Sequence, residues 1–403
     1  MSCQILGTIR SNRAISPPIV AVVICGVVRQ KGQTMSHWHA SRWTRLAAGF
    51  AITTVALVPT SAVSGEERGG TTFERSDLVS DVPGRAEVTD PNLVNAWGLS
   101  AGPATPIWVA DNGTDVSTLY RGATVSESAT SVLPLVVNIP NGAPTGTVFN
   151  GTAGFEVGPD DASAPALFLF SSENGSIDGW APNVPSPAST EAQSAVTAPD
   201  AVYKGLAIAT TPSGPRLYAA NFHAGTVDVF DSSFTPIHDP GAFVDRRLPH
   251  DYAPFNVQEL NGRLYVTYAQ QSDDRHDDVA GAGHGFVDVF DTSGKLLKRL
   301  ARSGRLNSPW GLALAPDSFG RFSHALLVGN FGDGRINAYN ADTGAWLGQL
   351  RDEDHKPITI DGLWALRIGN SAFGGTESLV FSAGPDDEKH GLLGLISAQT
   401  ENG

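Results

Sequence analysis

The phrase "NSPWGLALAP" at residues 307–316 has a near copy, "VNAWGLSAGP", at 94–103, and a third relative, "DGLWALRIGN", at 361–370. Three echoes more than fifty residues apart constrain the fold more than any local propensity, because self-similarity at a fixed period marks a repeated supersecondary unit. Laid on this phrase, the chain divides into six units. Each opens with a strand-like segment around a small residue, anchored at Gly98, Gly154, Gly205, Asn256, Gly311 and Gly362.

Each unit carries a second apolar segment: "PIWVADNG", "ALFLFSSENG", "RLYAANFHAG", "RLYVTYAQQ", "ALLVGNFGDG" and "SLVFSAGP". A third follows a turn, as in "TVDVFD", "GFVDVFD" and "RINAYN". Alternating β-branched and aromatic residues bounded by Asn-Gly or Asp-Gly predict hairpins. A fourth, outer strand is predicted in "TPIHDP" (235–240), "KLLKRLA" (295–301) and "AWLGQLRD" (345–352). Four antiparallel strands at a period near 50, repeated radially, make an all-β, six-bladed β-propeller. The last unit lacks a fourth strand, so "FERSDLVSDV" (73–82) is expected to supply it and close the ring. In such a ring the first strand of each blade lines a crowded axis that favours glycine. Trp97, Trp310 and Trp364 are expected between blades, as core and not as ligand platforms.

The 44 Gly and 26 Pro among 403 residues suit many short elements joined by turns. Residues 1–64 hold six Lys/Arg and no acid, which leaves 21 basic against 41 acidic residues in the remainder, a formal charge of −20. That balance disfavours nucleic acid and anionic lipid as partners. Both cysteines, Cys3 and Cys25, lie in the same first segment, so the rest uses neither disulfides nor thiolate zinc sites. From Met35, Arg42 and Arg45 precede an apolar run (46–59) and the small residues "SAVSG", the pattern of a secretory signal over 35–64. Residues 1–34 read as an upstream extension foreign to the mature protein. The domain is then 65–403, expected to be a secreted or periplasmic monomer without a membrane span.

The phrases "NAWGLS", "SPWGLALAP" and "GNFGDGRINAYN" resemble a group of secreted bacterial six-bladed propellers related to NHL-repeat proteins. The resemblance covers roughly 73–397; it implies the fold and no settled activity.

Strand order places the turns between second and third strands on one face. There fall Asn112, Asn174, Asn221, His223, Asn330 and Asp333, the candidate binding residues, with the acid-rich loops "DDRHDD" (273–278) and "DDEKH" (386–390). Asn, Asp and Gly are also what tight turns demand. A second constellation stands at the start of the axial strands: Asn95, Asn256 and Asp361 are candidate ligands for a hard divalent cation, Ca²⁺ or Mg²⁺. The leading functional reading is a module that binds a protein, glycan or small ligand on its acidic face. The alternative is a metal-dependent hydrolase of lactones or esters like the gluconolactonase-type propellers, an analogy of fold.

Overall fold

The computed structural model describes residues 71–399, so the expected signal segment and the residues before it lie outside the described part. The described residues form one compact unit. No helix among the described residues is long and apolar enough to cross a membrane.

Six antiparallel blades surround one axis. Blade 1 runs Ala96–Ser100, Ile107–Asp111, Val116–Arg121 and Ser131–Val132, with Val137–Asn138 also pairing on its third strand. Blade 2 is Pro144–Phe149, Phe168–Ser172, Ser176–Trp180 and Gln193–Thr197. Blade 3 has Tyr203–Thr211, Gly214–Asn221 and Thr226–Phe230. Blade 4 is Tyr252–Leu260, Arg263–Gln270, Phe286–Phe290 and Leu296–Arg302, and blade 5 is Pro309–Leu314, Ala325–Asn330, Ile336–Asn340 and Trp346–Gln349. Blade 6 is Leu363–Ile368, Leu379–Ala383 and Leu392–Gln399, completed by the N-terminal strand Thr72–Ser80. That closing strand pairs antiparallel with Leu392–Gln399, Val79 opposite Leu393, as expected from the sequence.

Three sequence expectations need correction. The inner strand of blade 2 is Pro144–Phe149, so Gly146 and not Gly154 is its axial residue; Gly154 lies in the loop that follows. In blade 6 the register puts Ala365 level with Gly98, and Gly362 precedes the strand. The outer strand of blade 3 shrinks to one bridge between Phe230 and Pro236, because Pro236 and Pro240 have no N–H to sustain a ladder.

The axis explains the small residues. A Cβ on Gly98 would stand 2.3 Å from the Thr145 carbonyl oxygen, one on Gly146 2.3 Å from the Leu206 nitrogen, and one on Gly311 2.6 Å from the Trp364 carbonyl oxygen. Neighbouring inner strands touch backbone to backbone, and glycine is what the contact admits. Side chains stitch the remaining gaps: Thr145 Oγ1 donates to the Tyr203 carbonyl (2.7 Å), and Asn256 Nδ2 to the Trp310 carbonyl (2.9 Å). Ser382 Oγ donates to the Trp97 carbonyl, completing the circuit from blade 6 to blade 1. A cavity of about 170 Å³ remains among the inner strands, bounded by Gly98, Gly146, Leu206, Asn256, Trp310 and Ala365.

Candidate functional site at the mouth of the axis

The repeated phrase encodes a bend as well as a strand. Two residues before each tryptophan the backbone is left-handed, at Asn95 (φ 47°), Ser308 (φ 46°) and Gly362 (φ 62°). At these blades the bend brings the chain inward just before the axial small residue, and Ala143 (φ 44°) repeats it in blade 2, whereas blades 3 and 4 have no such bend at Val202 or Ala253. By strand register, the residue preceding the axial small residue is Trp97, Thr145, Lys204, Phe255, Trp310 and Trp364 around the ring.

The aromatic members form a plug. Trp97 stacks on Trp364 with centroids 3.6 Å apart, and Phe331, half-buried, stacks on the same indole at 3.9 Å. Trp310 meets Trp364 edge-on at 6.0 Å, and Phe255 lies 5.9 Å away. The tryptophans are therefore core, as expected, yet the core they build sits on the axis. Trp364 Nε1 donates to Asn95 Oδ1 (2.9 Å) and Trp310 Nε1 to the Lys204 carbonyl (2.9 Å). Trp97 Nε1, equally buried, has no protein partner.

Above the plug lies a charged cap assembled by five blades. Lys204, 2% exposed, sets its ammonium 5.3 Å from the Trp97 ring centroid. It pairs with Glu173 and, at 3.3 Å, with Asp277. Glu173 Oε2 accepts from Asn112 Nδ2 (2.9 Å), and Asn112 Oδ1 accepts from Asn95 Nδ2 (3.1 Å). Asn95 Nδ2 also donates to Glu388 Oε2 (2.7 Å). His276 Nδ1 stands 2.8 Å from Asp277 Oδ1. Asp278 lies beside Ser308; the hydroxyl is near enough to lower the carboxyl's pKa, yet Ser308 Oγ and Asp278 Oδ2 complete no hydrogen bond of good geometry.

Two carboxylates thus pair with one buried lysine, and Glu388 and Asp278 stand within its electrostatic reach. Burial alone would push the Lys204 ammonium down, but Glu173 and then Asp277 outweigh it and hold the group above its ordinary value. Burial also works to raise Asp277, yet His276 and Lys204 pull it below the usual carboxylate range. Glu388 and Asp278 go the other way. Burial raises both, and the Glu173 and Asp277 charges add to the rise at Glu388 against the opposing hydrogen bond from Asn95. The mouth therefore holds more carboxylate than its resident cation neutralises. Ligating atoms of Glu173, His276 and Asp277 lie within 4.8 Å of one another, but Lys204 already occupies both carboxylates.

Of the residues singled out from sequence, Asn95 and Asn112 meet in this network. Asn256 lies one step deeper, where its Oδ1 accepts from Val257 N (2.8 Å) and its Nδ2 bonds Trp310. Asp361 is exposed and accepts the backbone N–H of Asp386 (2.8 Å). Asn221 is buried and braces its hairpin through Asp228 (2.9 Å) and the N–H of Ala224 (3.1 Å). Asn330 donates to Asp333 Oδ1 (3.0 Å), which in turn accepts from Arg335 N (3.2 Å). Asn174 donates to the Asn141 carbonyl (2.8 Å), and His223 is exposed. Sequence reasoning missed Lys204, Glu173, Asp277, Asp278 and Glu388 as individuals. The available signal was the alignment of "YKGLAI" (203–208) on "PWGLAL" (309–314), which puts a lysine where the repeat calls for tryptophan.

No protein-family model matches the chain. By sequence it is similar to "Uncharacterized protein R648" of Acanthamoeba polyphaga mimivirus, 32% identical over 342 residues that cover 82% of each protein. "Uncharacterized protein L690" of the same virus is 30% identical over 343 residues, 82% of this chain and 87% of that one. These relatives are viral, so the bacterial grouping rests on the motif resemblance alone. Among solved structures, "glucose dehydrogenase" superposes with a TM-score of 0.47 at 12% identity, covering 81% of this chain and all of that one. "Streptogramin B lyase structure" gives 0.43 at 8% identity, over 82% and 98%.

Proposed function

The chain belongs to the same family as the two mimivirus proteins, whose names carry no activity to transfer, and from its geometry we propose a binding propeller that takes a cationic ligand at the mouth of its axis. One observation carries the reading: Glu173 and Asp277 pair with a single buried ammonium, and Asp278 and Glu388, the latter from a third blade, stand within its electrostatic reach without pairing with it. The remaining negative charge is partly desolvated, and that raises the value of any cation that replaces lost water. Phe331 and the indoles beneath add ring faces that attract positive charge. Binding is favoured over hydrolysis because both polar ends of the Asn256 side chain serve the ring and Asp361 serves a rim turn. Neither is joined to Asn95 by a shared partner.

A thermal-shift panel of Ca²⁺, Mg²⁺, putrescine and choline, with acetate and phosphate as controls, tests the proposal. A cation that binds the folded state alone is expected to raise the melting temperature with concentration. Glu388→Gln and Asp278→Asn are each expected to diminish that rise, and the metal and amine arms separate the two sources of positive charge. A panel in which no cation acts at millimolar concentration, or in which the rise survives both substitutions, overturns the reading.

A further inference from the structure

We infer a second site of opposite sign, an acidic-saccharide groove at the outer edges of blades 4 and 5. It is independent of the axial mouth. A cleft of about 690 Å³ opens there, within the range of small-ligand sites, lined by Arg247, Arg299, Arg302, Arg305, Tyr339 and Trp346. Four arginines around one cleft stand out on a chain whose described domain is strongly acidic.

The arginines are not equivalent. Arg299, nearly buried, is neutralised by Asp245 (2.5 Å) and Asp288 (3.5 Å) and forms the floor. Arg247 shares Asp245 at 3.3 Å but leaves most of its side chain in solvent. Arg302 and Arg305 are exposed, and among the described residues neither has a carboxylate within ion-pair distance. Between them Ser303 (φ 46°) and Gly304 (φ 62°) are both left-handed, so the chain reverses and both arginines flank one tight turn. That turn is held from below. Buried Asn330 and Asn337 donate to the Arg305 carbonyl at 2.8 and 3.2 Å. The two uncompensated guanidinium groups are thus presented by a fixed backbone.

Trp346 supplies the apolar surface. It is 44% exposed, an unusual position for an indole, and is oriented by Nε1 donating to Asn337 Oδ1 (3.3 Å). Arg305 lies over its ring at 4.8 Å. A flat indole suits the apolar face of a sugar ring, and planar guanidinium forks suit its carboxylate or sulfate bidentately. Of the three cations left facing solvent, only Arg302 belongs to the outer strand, as its last residue, while Arg247 and Arg305 stand in turns, so a compact ring-bearing anion fits better than an extended acidic peptide.

Isothermal titration of the full chain tests this with tetragalacturonate (carboxylate), a heparin-derived tetrasaccharide (sulfate), neutral maltotetraose and hexaglutamate peptide. At least one acidic saccharide is expected to bind, more weakly as salt rises, and maltotetraose is not. The Arg302→Ala/Arg305→Ala double variant and Trp346→Ala are each expected to weaken binding about tenfold or more, with Trp346→Phe retaining part of it. All are surface changes, and an unchanged melting temperature confirms folded protein. Glu388→Gln should leave the affinity intact, which keeps this test separate from that of the axial mouth. Failure of every acidic saccharide to bind, affinity untouched by the double variant, or tighter binding of hexaglutamate lost in the same variants would overturn the inference.

Discussion

Blades 5, 6 and 1 keep the repeated phrase and set Trp310, Trp364 and Trp97 at the axis; blades 2, 3 and 4 depart from it and set Thr145, Lys204 and Phe255 at the same position. The first half of the ring makes a plug of stacked indoles. The second half admits a lysine, and around that lysine the carboxylates collect. Repetition here builds the scaffold, while the departures from repetition build the candidate site. A ring needs its axis closed for stability, yet not by the same residue in every blade.

The largest expected effect breaks the repeating half. Trp364→Ala removes the indole on which Trp97 and Phe331 both stack and frees Asn95 Oδ1, so a loss of about 3–5 kcal/mol is expected in denaturant unfolding. Thr145→Ala, at the equivalent position in the departing half, forfeits its hydrogen bonds to Tyr203 and Ser171 and is expected to cost about 1–3 kcal/mol. If Thr145→Ala costs as much as Trp364→Ala, the two halves are not divided as described.

A smaller effect sharpens the contrast. Lys204→Met keeps much of the volume over Trp97 but leaves Glu173 and Asp277 facing each other without their cation, an expected loss of about 1–3 kcal/mol. The same substitution removes the resident positive charge, so affinity for whichever cation binds the wild type is expected to rise about tenfold. Loss of stability with gain of affinity separates a site lysine from a merely structural one. Titration calorimetry beside the unfolding curve reads both.

The smallest effect is in pH. Burial holds the Glu388 carboxyl above its ordinary value, so between its unfolded and folded pKa the native chain keeps a proton that the unfolded chain has lost. Its contribution to stability is therefore present below the unfolded pKa and lost as pH rises through the folded one, with a slope of at most about 1.4 kcal/mol per pH unit. Glu388→Gln should flatten that part of the stability–pH curve. Cation binding should follow the opposite course, weakening on acidification, while the cost of Trp364→Ala should not change with pH. A Glu388→Gln profile that overlays the wild type would remove Glu388 from the electrostatics of the mouth.

The fold was legible because its signals repeat: Trp97, Trp310 and Trp364 with their neighbours Gly98, Gly311 and Ala365 spell the inner strand three times. Blade 2 was misregistered because Gly146 is followed by Thr147 where the repeat has leucine, and the glycine-rich loop at 151–154 offered a better-looking match. The candidate site was legible only as a set of loops on one face. Asn221, Asn330 and Asp333 carry the residue types of a binding loop, yet Asn221 and Asp333 bond within their own hairpins and Asn330 Nδ2 is divided between Asp333 and the Arg305 carbonyl. Lys204 was hidden because no local rule puts a nearly buried lysine on an axis. It is tolerated through Glu173 and Asp277, which lie 31 and 73 residues away in the chain.

The most direct measurement is a crystal structure of residues 65–403 grown with the cation that gives the largest thermal shift. The expected result is that cation seated in the axial mouth, contacting carboxylate oxygens of Glu388 and Asp278 above Phe331. A saturating concentration that leaves the mouth without it, or seats it at any other place on the ring, would contradict the proposed site.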